Sequence, residues 1–456
     1  MQIAPITHPL QATVRVPGSK SLTNRALLIA SLAEGTTRIT NALFSDDSRY
    51  FAKALQTLGF DIILDEEHHE MTVTGLGGKI PAREASLFIG NAGTAARFLS
   101  AFLTLGNGEF ILDGDARMRE RPIGDLVHSL TQLGANIGSL HPSLCPPIKI
   151  TASGLPGGKT QIAGNISSQF LSALLMVAPY ARSPIEIEVT TDLNSKPYVD
   201  MTISVMQDFG VQVERNEYQS FRIPLANYQH LHRAHTCHGR RCRGVHVLPV
   251  TKPNLQSPIS YPIESDASAA AYFFAAPAIC GGGVRVENIS RRSKQGDIAF
   301  LDVLQKIGCV VTESDNSIMV HGPSSIVGID VDMRDIPDTA QTLAAIAPFA
   351  STPTRIRGIA SARVKETDRV HATCTELARL GVHVEEHEDG MSIYPCKNIQ
   401  PATIQTYNDH RMAMSFSLIG LCVDGITIEN SSCVSKTFPS FFEVLETLRS
   451  TDFNVS

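Results

Sequence analysis

Hydrophobic and polar positions along this 456-residue chain repeat in a long, regular cycle. Six stretches are apolar nearly all round: SLTNRALLIASLAEG, TAARFLSAFLTLG, SSQFLSALLMVAPYA, DASAAAYFFAAPAICG, PDTAQTLAAIAPFA and NDHRMAMSFSLIGL. They begin near Ser21, Thr94, Ser168, Asp266, Asp338 and Asn408, at intervals of 73, 74, 98, 72 and 70 residues. A helix without a polar face is normally buried. Each is followed by an amphipathic partner, and five partners close alike, on LQTLG, LTQLG, MQDFG, LQKIG and LARLG at Gly59, Gly134, Gly210, Gly308 and Gly381. The sixth, FEVLETLR, lacks the glycine.

Between the helices lie short runs of period two: ATVRV, TTRITNA, DIILDE, EMTVTG, IEIEVT, VRVENI, SIMVHG, TRIRGI and ITIEN. Each reads as a strand bounded by glycine or proline. One unit is then two helices with about four strands, an α+β packet repeated six times. Outer sheets wrapped round buried helices satisfy this pattern, and six units divide into three and three. The one long interval carries about 24 extra residues, which fall within Tyr228–Pro262. This stretch is rich in His, Arg and Pro and has no period, so an irregular insertion at a crossover is expected. Its His235, Cys237, His238 and Cys242 match no standard zinc spacing, and no metal is expected there.

Composition narrows the function classes. With 43% hydrophobic and 18% charged residues and a formal charge of −6, the chain has the balance of a soluble globular protein. It has no general affinity for nucleic acid or anionic membranes, so any cationic cluster must be a local device. The first residues, MQIAPITHPLQATVRV, have no signal-peptide core, and no apolar run reaches membrane-spanning length. Nine scattered cysteines without a Cys-x-x-Cys pair fit a reducing, cytoplasmic setting.

Cations gather where the helices begin. Gly18-Ser19-Lys20-Ser21 opens the first, with Arg25 a turn further in; Gly90-Asn91-Ala92-Gly93-Thr94 opens the next, followed by Arg97. Arg117, Arg119 and Arg121 crowd one entrance. Gly164-Asn165-Ile166-Ser167-Ser168-Gln169 leads into the third apolar helix, and Ser195-Lys196-Pro197-Tyr198 into its partner. Arg363, Lys365 and Arg369 surround Glu366 and Asp368, and Asp409-His410-Arg411 and Ser435-Lys436-Thr437 complete the set. A helix N-terminus carries free N–H groups and partial positive charge, so lysine and arginine are locally unfavourable there. If these ends converge, they form a concentrated site for two or more phosphates or carboxylates. Taken singly the motifs are ordinary: Ser, Thr and Asp are common N-caps, His410 reads as a packed histidine, and RVKETDR would serve as a solvated helix face. Gly18-Ser-Lys-Ser lacks the full P-loop spacing, which argues against ATP.

In order, PGSKSLTNRALL, GNAGTAARF, RMRERPIG, SSQFLSALLM, SKPYVD, ESDASAAAYF, KQGD, IPDTA, RVKETDR, NDHRMAM and SKTFP give a chain that closely resembles the 5-enolpyruvylshikimate-3-phosphate (EPSP) synthase family over essentially its whole length. The resemblance implies a two-domain inside-out α/β barrel of three units per domain, with residues 1–18 plus 263–456 in one domain and 19–262 in the other. It implies transfer of the enolpyruvyl group of phosphoenolpyruvate to the 5-hydroxyl of shikimate 3-phosphate, without cofactor or metal, by a monomer. Carried over by motif, Ser21, Arg25, Ser167, Ser168, Gln169, Ser195 and Tyr198 would hold shikimate 3-phosphate. Gly93, Arg121, Arg369, Arg411 and Lys436 would hold phosphoenolpyruvate, with Lys20 between the two. Asp338, held near Lys365, would be the base, and Glu366 and Lys20 the proton donors and acceptors.

Two positions depart from the family pattern. Ser361 stands where many members carry Asn, and Phe98 follows Arg97 where plant and enteric members carry Pro. The related UDP-N-acetylglucosamine enolpyruvyl transferases have Lys-Asn in the first loop and a cysteine donor in a mobile loop. Here the first loop is Lys20-Ser21, and Cys145 lies outside a comparable loop. A non-catalytic anion-binding relative would lack Asp338, Glu366 or Lys20, and all three are present.

Overall fold

Local sequence sets where each helix starts and stops. The computed structural model describes residues 1–229 and 258–449. Among these residues the α-helices are α1 (Lys20–Leu32), α2 (Asp46–Thr57), α3 (Gly93–Leu103), α4 (Gly124–Gln132), α5 (Ser168–Val177), α6 (Lys196–Asp208), α7 (Ala267–Cys280), α8 (Phe300–Lys306), α9 (Ala340–Ile346), α10 (Arg369–Arg379), α11 (His410–Gly420) and α12 (Phe441–Glu446). Side-chain caps open them: Ser19 accepts from the Leu22 N–H, Ser167 from Gln169, Asp266 from Ala269, Asp368 from His371 and Asp409 from Arg411. Gly59, Gly134, Gly210, Gly308 and Gly381 follow the amphipathic helices with φ between 78° and 113°, a left-handed turn that a side chain would strain. The odd-numbered helices are the apolar ones. Every residue of α3 and of α11 is buried.

Sheets cover these helices from outside. Leu10–Arg15 alternates buried and exposed along its whole length, as a half-buried strand should. Five four-stranded sheets share one plan, a parallel pair followed by two antiparallel neighbours, and a sixth has only Thr403–Ile404 and Thr427–Ile428. Four strands were expected in that last unit, but its chain turns into short 3-10 segments instead. All nine period-two runs contain a strand. The second unit's sheet (Glu84–Phe88, Asn107–Asp113, Ile148–Ser153, Asn136–Ser139) gave no clear run, since Glu84–Phe88 buries one side chain of five.

Two sheets borrow a strand across the molecule. Leu10–Arg15 pairs in parallel with Gly282–Glu287, and Ile259–Pro262 pairs in parallel with Glu34–Thr40. The connecting segments therefore cross side by side. Ser19 N–H donates to the Glu264 carbonyl and Asp266 N–H to that of Pro17, both at 2.8 Å. A Cβ on Gly18 would meet the Asn41 carbonyl oxygen at 1.8 Å, so this crossing admits only glycine. Buried apolar side chains form two separate clusters, one from Leu22 to Ile263 and one joining Ile3–Val16 to Ala267–Leu448. The fold is thus a two-domain α/β structure of six units.

The stretch expected to be irregular, 228–262, is ordered at both ends. Tyr228 is fully buried with its hydroxyl donating to the Met176 carbonyl, and Ile259–Pro262 is the borrowed strand, with the Tyr261 ring packed at a tilt against Phe209. His235, Cys237, His238 and Cys242 lie outside the described residues. Among the described residues no helix is long and apolar enough to cross a membrane.

Candidate active site

The entrances of the apolar helices meet between the two halves. Lys20 is the first residue of α1, and its backbone N–H reaches Asp266 Oδ2 (3.1 Å), which also caps α7. From the other half, Lys436 donates to Asp47 Oδ1 (2.9 Å) and to the Asn91 carbonyl (2.7 Å). Lys20 stands 3.5 Å from the same Asp47 carboxylate. Arg117 reaches over to donate to the carbonyls of Lys365 (2.9 Å) and Glu366 (3.0 Å). The backbone and hydroxyl of Ser195, in a left-handed conformation, both reach the Arg334 carbonyl, and the Lys196 N–H reaches Asp335.

A cavity of about 70 Å³ lies at this junction, walled by Lys20, Arg97, Arg121, Asp338, Lys365, Glu366, Arg369 and Arg411, with Ser167, Gln169 and Ser361 alongside. Asp338 accepts from Lys365 Nζ at 2.5 Å, Arg369 Nη1 at 3.1 Å and Arg411 Nη2 at 2.8 Å. The Arg369 guanidinium spans both carboxylates, donating through Nη2 to Glu366 Oε2 (2.7 Å) and through Nε to Asp409 Oδ2 (2.7 Å). Glu366 Oε1 lies 3.9 Å from both Arg121 and Lys436. Seven cations (Lys20, Arg97, Arg121, Lys365, Arg369, Arg411, Lys436) thus face four acidic residues (Asp47, Asp338, Glu366, Asp409).

RVKETDR is no helix face. Ala360–Val364 is a 3-10 turn, Asp368 caps α10, and Arg369 is its first residue. The turn delivers Lys365 and Glu366 inward, while Arg363 stays out on Asp368 and Glu386.

Burial opposes ionisation of Asp338, but Arg411, Lys365 and Arg369 outweigh it and hold the carboxyl well below the usual range. Glu366 is likewise held low against burial by Arg369, Arg121 and Lys436. Burial lowers the Lys365 ammonium although Asp338 pushes back. Burial, with Arg121 beside it, lowers Arg97 to about 9. His410 is fully buried, and its ring nitrogens have no hydrogen-bond partner. Burial, Arg411 and Lys20 drive its pKa well below the ordinary value, so the ring is neutral and its 3.6 Å approach to Asp409 is not an ion pair.

Other expected residues stand back from the cavity wall. Arg25 is buried against the Thr202 and Ser172 hydroxyls and the Ser21 and Tyr198 carbonyls, with its guanidinium over the Phe98 ring at 5.3 Å. Burial lowers it to about 10. Phe98 thus forms the apolar seat of that arginine. Ser21, Ser168 and Ser195 do not line the cavity. Tyr198 approaches it indirectly, its hydroxyl 3.0 Å from Asp297 and 3.3 Å from Asp338. Gly93 lies against Arg121, where an added Cβ would meet Nη2 at 2.5 Å.

Four residues to which sequence reasoning gave no role of their own belong here. Asp47 and Asp409 partner the cations, and Arg117 joins the halves. Asp297 is buried beside Tyr198 and Ser268 with Oδ1 unpartnered, and burial followed by Asp338 raises it to about 6. KQGD was the only signal for Asp297. A wider groove of about 870 Å³ on an outer sheet face, lined by Lys159, Glu186, Glu214 and Arg222, is a poor alternative. Its charges pair with one another at the surface.

A family model described as EPSP synthase (3-phosphoshikimate 1-carboxyvinyltransferase) matches residues 5–242 and 239–445. A 3-phosphoshikimate 1-carboxyvinyltransferase of Trichormus variabilis is 48% identical over 440 residues, covering 96% of this chain and 97% of the relative. One from a Sulfurovum species is 46% identical over 449 residues, covering 98% and 99%. The solved EPSP synthase of Acinetobacter baumannii superposes with a TM-score of 0.77 at 25% identity, covering 98% of this chain and 97% of that one.

Proposed function

Because the chain belongs to the EPSP synthase family, we propose that the cavity between its halves is where that family's reaction takes place, with the residues gathered there in the roles below. The activity itself follows from the family. This enzyme transfers the enolpyruvyl group of phosphoenolpyruvate to the 5-hydroxyl of shikimate 3-phosphate and releases phosphate, a step toward chorismate and the aromatic amino acids. The observation that carries the site is the set of seven cations, drawn from both halves, around the Asp338 and Glu366 carboxylates.

Both substrates carry phosphate and carboxylate groups, so they compete with the protein's own carboxylates for these cations. A cavity of about 70 Å³ is well below the ~300 Å³ lower end of small-molecule sites. The halves therefore part to admit the substrates and close over them. We take residues 1–18 with 263–456, and 19–262, as the two closing domains. Arg121, Arg369, Arg411 and Lys436 hold phosphoenolpyruvate, with Gly93 leaving room beside Arg121. The N-terminus of α5, at Ser167, Ser168 and Gln169, receives shikimate 3-phosphate with Ser21, Arg25, Ser195 and Tyr198.

Asp338 takes the proton of the 5-hydroxyl, and Lys365 orients its carboxylate. In the arrangement described Asp338 is a weak base, because Arg411, Lys365 and Arg369 stabilise its anion. Substrate anions that neutralise Arg369 and Arg411 raise its proton affinity at the moment it is needed. The Lys20 ammonium and Glu366 exchange the proton at the methylene carbon. Glu366, ionised here, gains proton affinity in the same way when Arg121, Arg369 and Lys436 turn to substrate. The tetrahedral intermediate then expels phosphate as the methyl group returns a proton, and the arginines stabilise charge on the departing group. All these groups lie in one chain, which supports a monomer, and the free thiols fit a reducing cytoplasm.

The test is phosphate release measured with both substrates. Release that needs both phosphoenolpyruvate and shikimate 3-phosphate supports the assignment. Release only with UDP-N-acetylglucosamine as acceptor, or none, defeats it.

A further inference from the structure

Far from the cavity, two sulfur atoms stand in contact. Cys280 is the last residue of α7 and Cys422 follows the end of α11, and their Sγ atoms are 3.4 Å apart. The two helices pack on one another, which holds these ends side by side. Both thiols are half-buried. Cys422 lines an open surface cavity of about 630 Å³ together with Lys397, Asn398 and Asp424, so a small reagent can reach it. Among the described residues no other two cysteines make a sulfur–sulfur contact, and Cys145, Cys309, Cys374 and Cys433 are buried.

We propose that Cys280 and Cys422 form a dithiol modification site, which low-molecular-weight disulfides such as oxidised glutathione convert to an intramolecular disulfide. The Cys422 thiolate, exposed to the cavity, attacks one sulfur of the reagent. A mixed disulfide forms and the first reagent thiolate leaves. Cys280 then loses its proton to water and attacks the Cys422 sulfur, which expels the second thiolate. Two protein thiols are oxidised and one external disulfide is reduced to two thiols, so electrons and protons balance.

Geometry favours closure, since a disulfide bond of ~2.04 Å needs the sulfurs to approach by only about 1.4 Å. In the reduced dithiol the adjacent Cys422 sulfur and then burial hold the Cys280 proton on, and only the charge of Arg449 opposes them, which leaves Cys422 as the thiol that attacks first. Protein disulfides formed in reducing compartments are typically transient, so thioredoxin-type reductants should reverse this one.

The test treats the full-length protein with oxidised glutathione, then denatures it and alkylates the remaining thiols. The expected result is two fewer alkylated thiols than the nine in the chain, the mass of two hydrogens lost, and a crosslinked peptide joining Cys280 to Cys422. Cys280→Ser is expected to stop at the mixed disulfide on Cys422, and Cys422→Ser to leave Cys280 unmodified. Either variant alone suffices. Nine alkylated thiols after oxidation, or a crosslink from Cys422 to Cys396 across the same surface cavity, would overturn the proposal.

Discussion

Arg117→Ala tests whether closure of the two halves organises the site. The guanidinium donates to the carbonyls of Lys365 and Glu366 from the opposite half at 2.9 and 3.0 Å. Hydrogen bonds from a charged donor contribute about 1.5–3 kcal/mol each when sheltered. The Arg117 side chain is 34% exposed, so a discounted ~1 kcal/mol per bond is appropriate. Its ion pair with Glu120, which is 64% exposed, adds almost nothing. The loss of about 2 kcal/mol falls on the closed form alone, because water satisfies these carbonyls when the halves part. At tenfold per ~1.4 kcal/mol, the closure equilibrium shifts about 30-fold. The same shift should appear in kcat/KM for both substrates, with a smaller fall in kcat where saturating ligand restores closure. Initial rates of phosphate release, each substrate varied against saturating partner, measure this. Small-angle scattering with both ligands should show incomplete compaction. A kcat/KM within twofold of wild type for both substrates would refute the latch, and a loss confined to phosphoenolpyruvate would make Arg117 a ligand contact instead.

Three further outcomes are expected. Asp338→Asn keeps the shape but removes the base, so kcat should fall by ~10²–10⁴; turnover within tenfold of wild type would remove Asp338 from that role. Gly93→Ala places a Cβ 2.5 Å from Arg121 Nη2 and should displace the guanidinium. The KM for phosphoenolpyruvate should then rise about tenfold while that for shikimate 3-phosphate stays within twofold, and equal changes in both would contradict the contact. Asp297, raised to about 6 by burial and Asp338, binds a proton in the folded state between pH 4 and 6 that the unfolded chain has released. Its contribution is therefore present below pH 4 and is lost as pH rises through 6, by up to about 3 kcal/mol. Asp297→Asn should gain stability relative to wild type over that window, measured by denaturant melts at several pH values. A difference independent of pH would show that Asp297 is ionised throughout.

How much of this was legible in the chain depends on which physical rule each residue obeys or breaks. The buried helices announce themselves because SSQFLSALLMV or TAARFLSAFL has no polar face to offer water. The glycines that end the amphipathic helices are readable because a left-handed turn excludes most side chains. The second sheet was hidden because Glu84–Phe88 is an edge strand with one buried residue, and NGEFILD opens on a turn-like Asn-Gly. The borrowed strand Ile259–Pro262 was hidden for another reason. Its partner lies more than two hundred residues earlier, and a terminal proline disguises an edge position.

The site shows the same asymmetry in sharper form. Lys20, Arg369, Arg411 and Lys436 drew attention because cations at helix entrances are locally unfavourable and so need an external reason. Of their partners, Asp47 drew none and Asp409 was named only in a string with Arg411, because an aspartate at a helix start is what capping already predicts. Asp409 caps α11 and grips Arg369 at the same time, yet only the first task is visible locally. Asp47 sits in the first turn of α2, where an acidic residue is expected, and serves both Lys20 and Lys436. In RMRER, three arginines two residues apart leave one 3-10 turn in three directions. Arg119 goes to Asp113 on the surface, Arg121 goes to the cavity wall, and Arg117 crosses to the other half. Spacing dictates that they diverge, and only the fold decides which of them reaches the cavity.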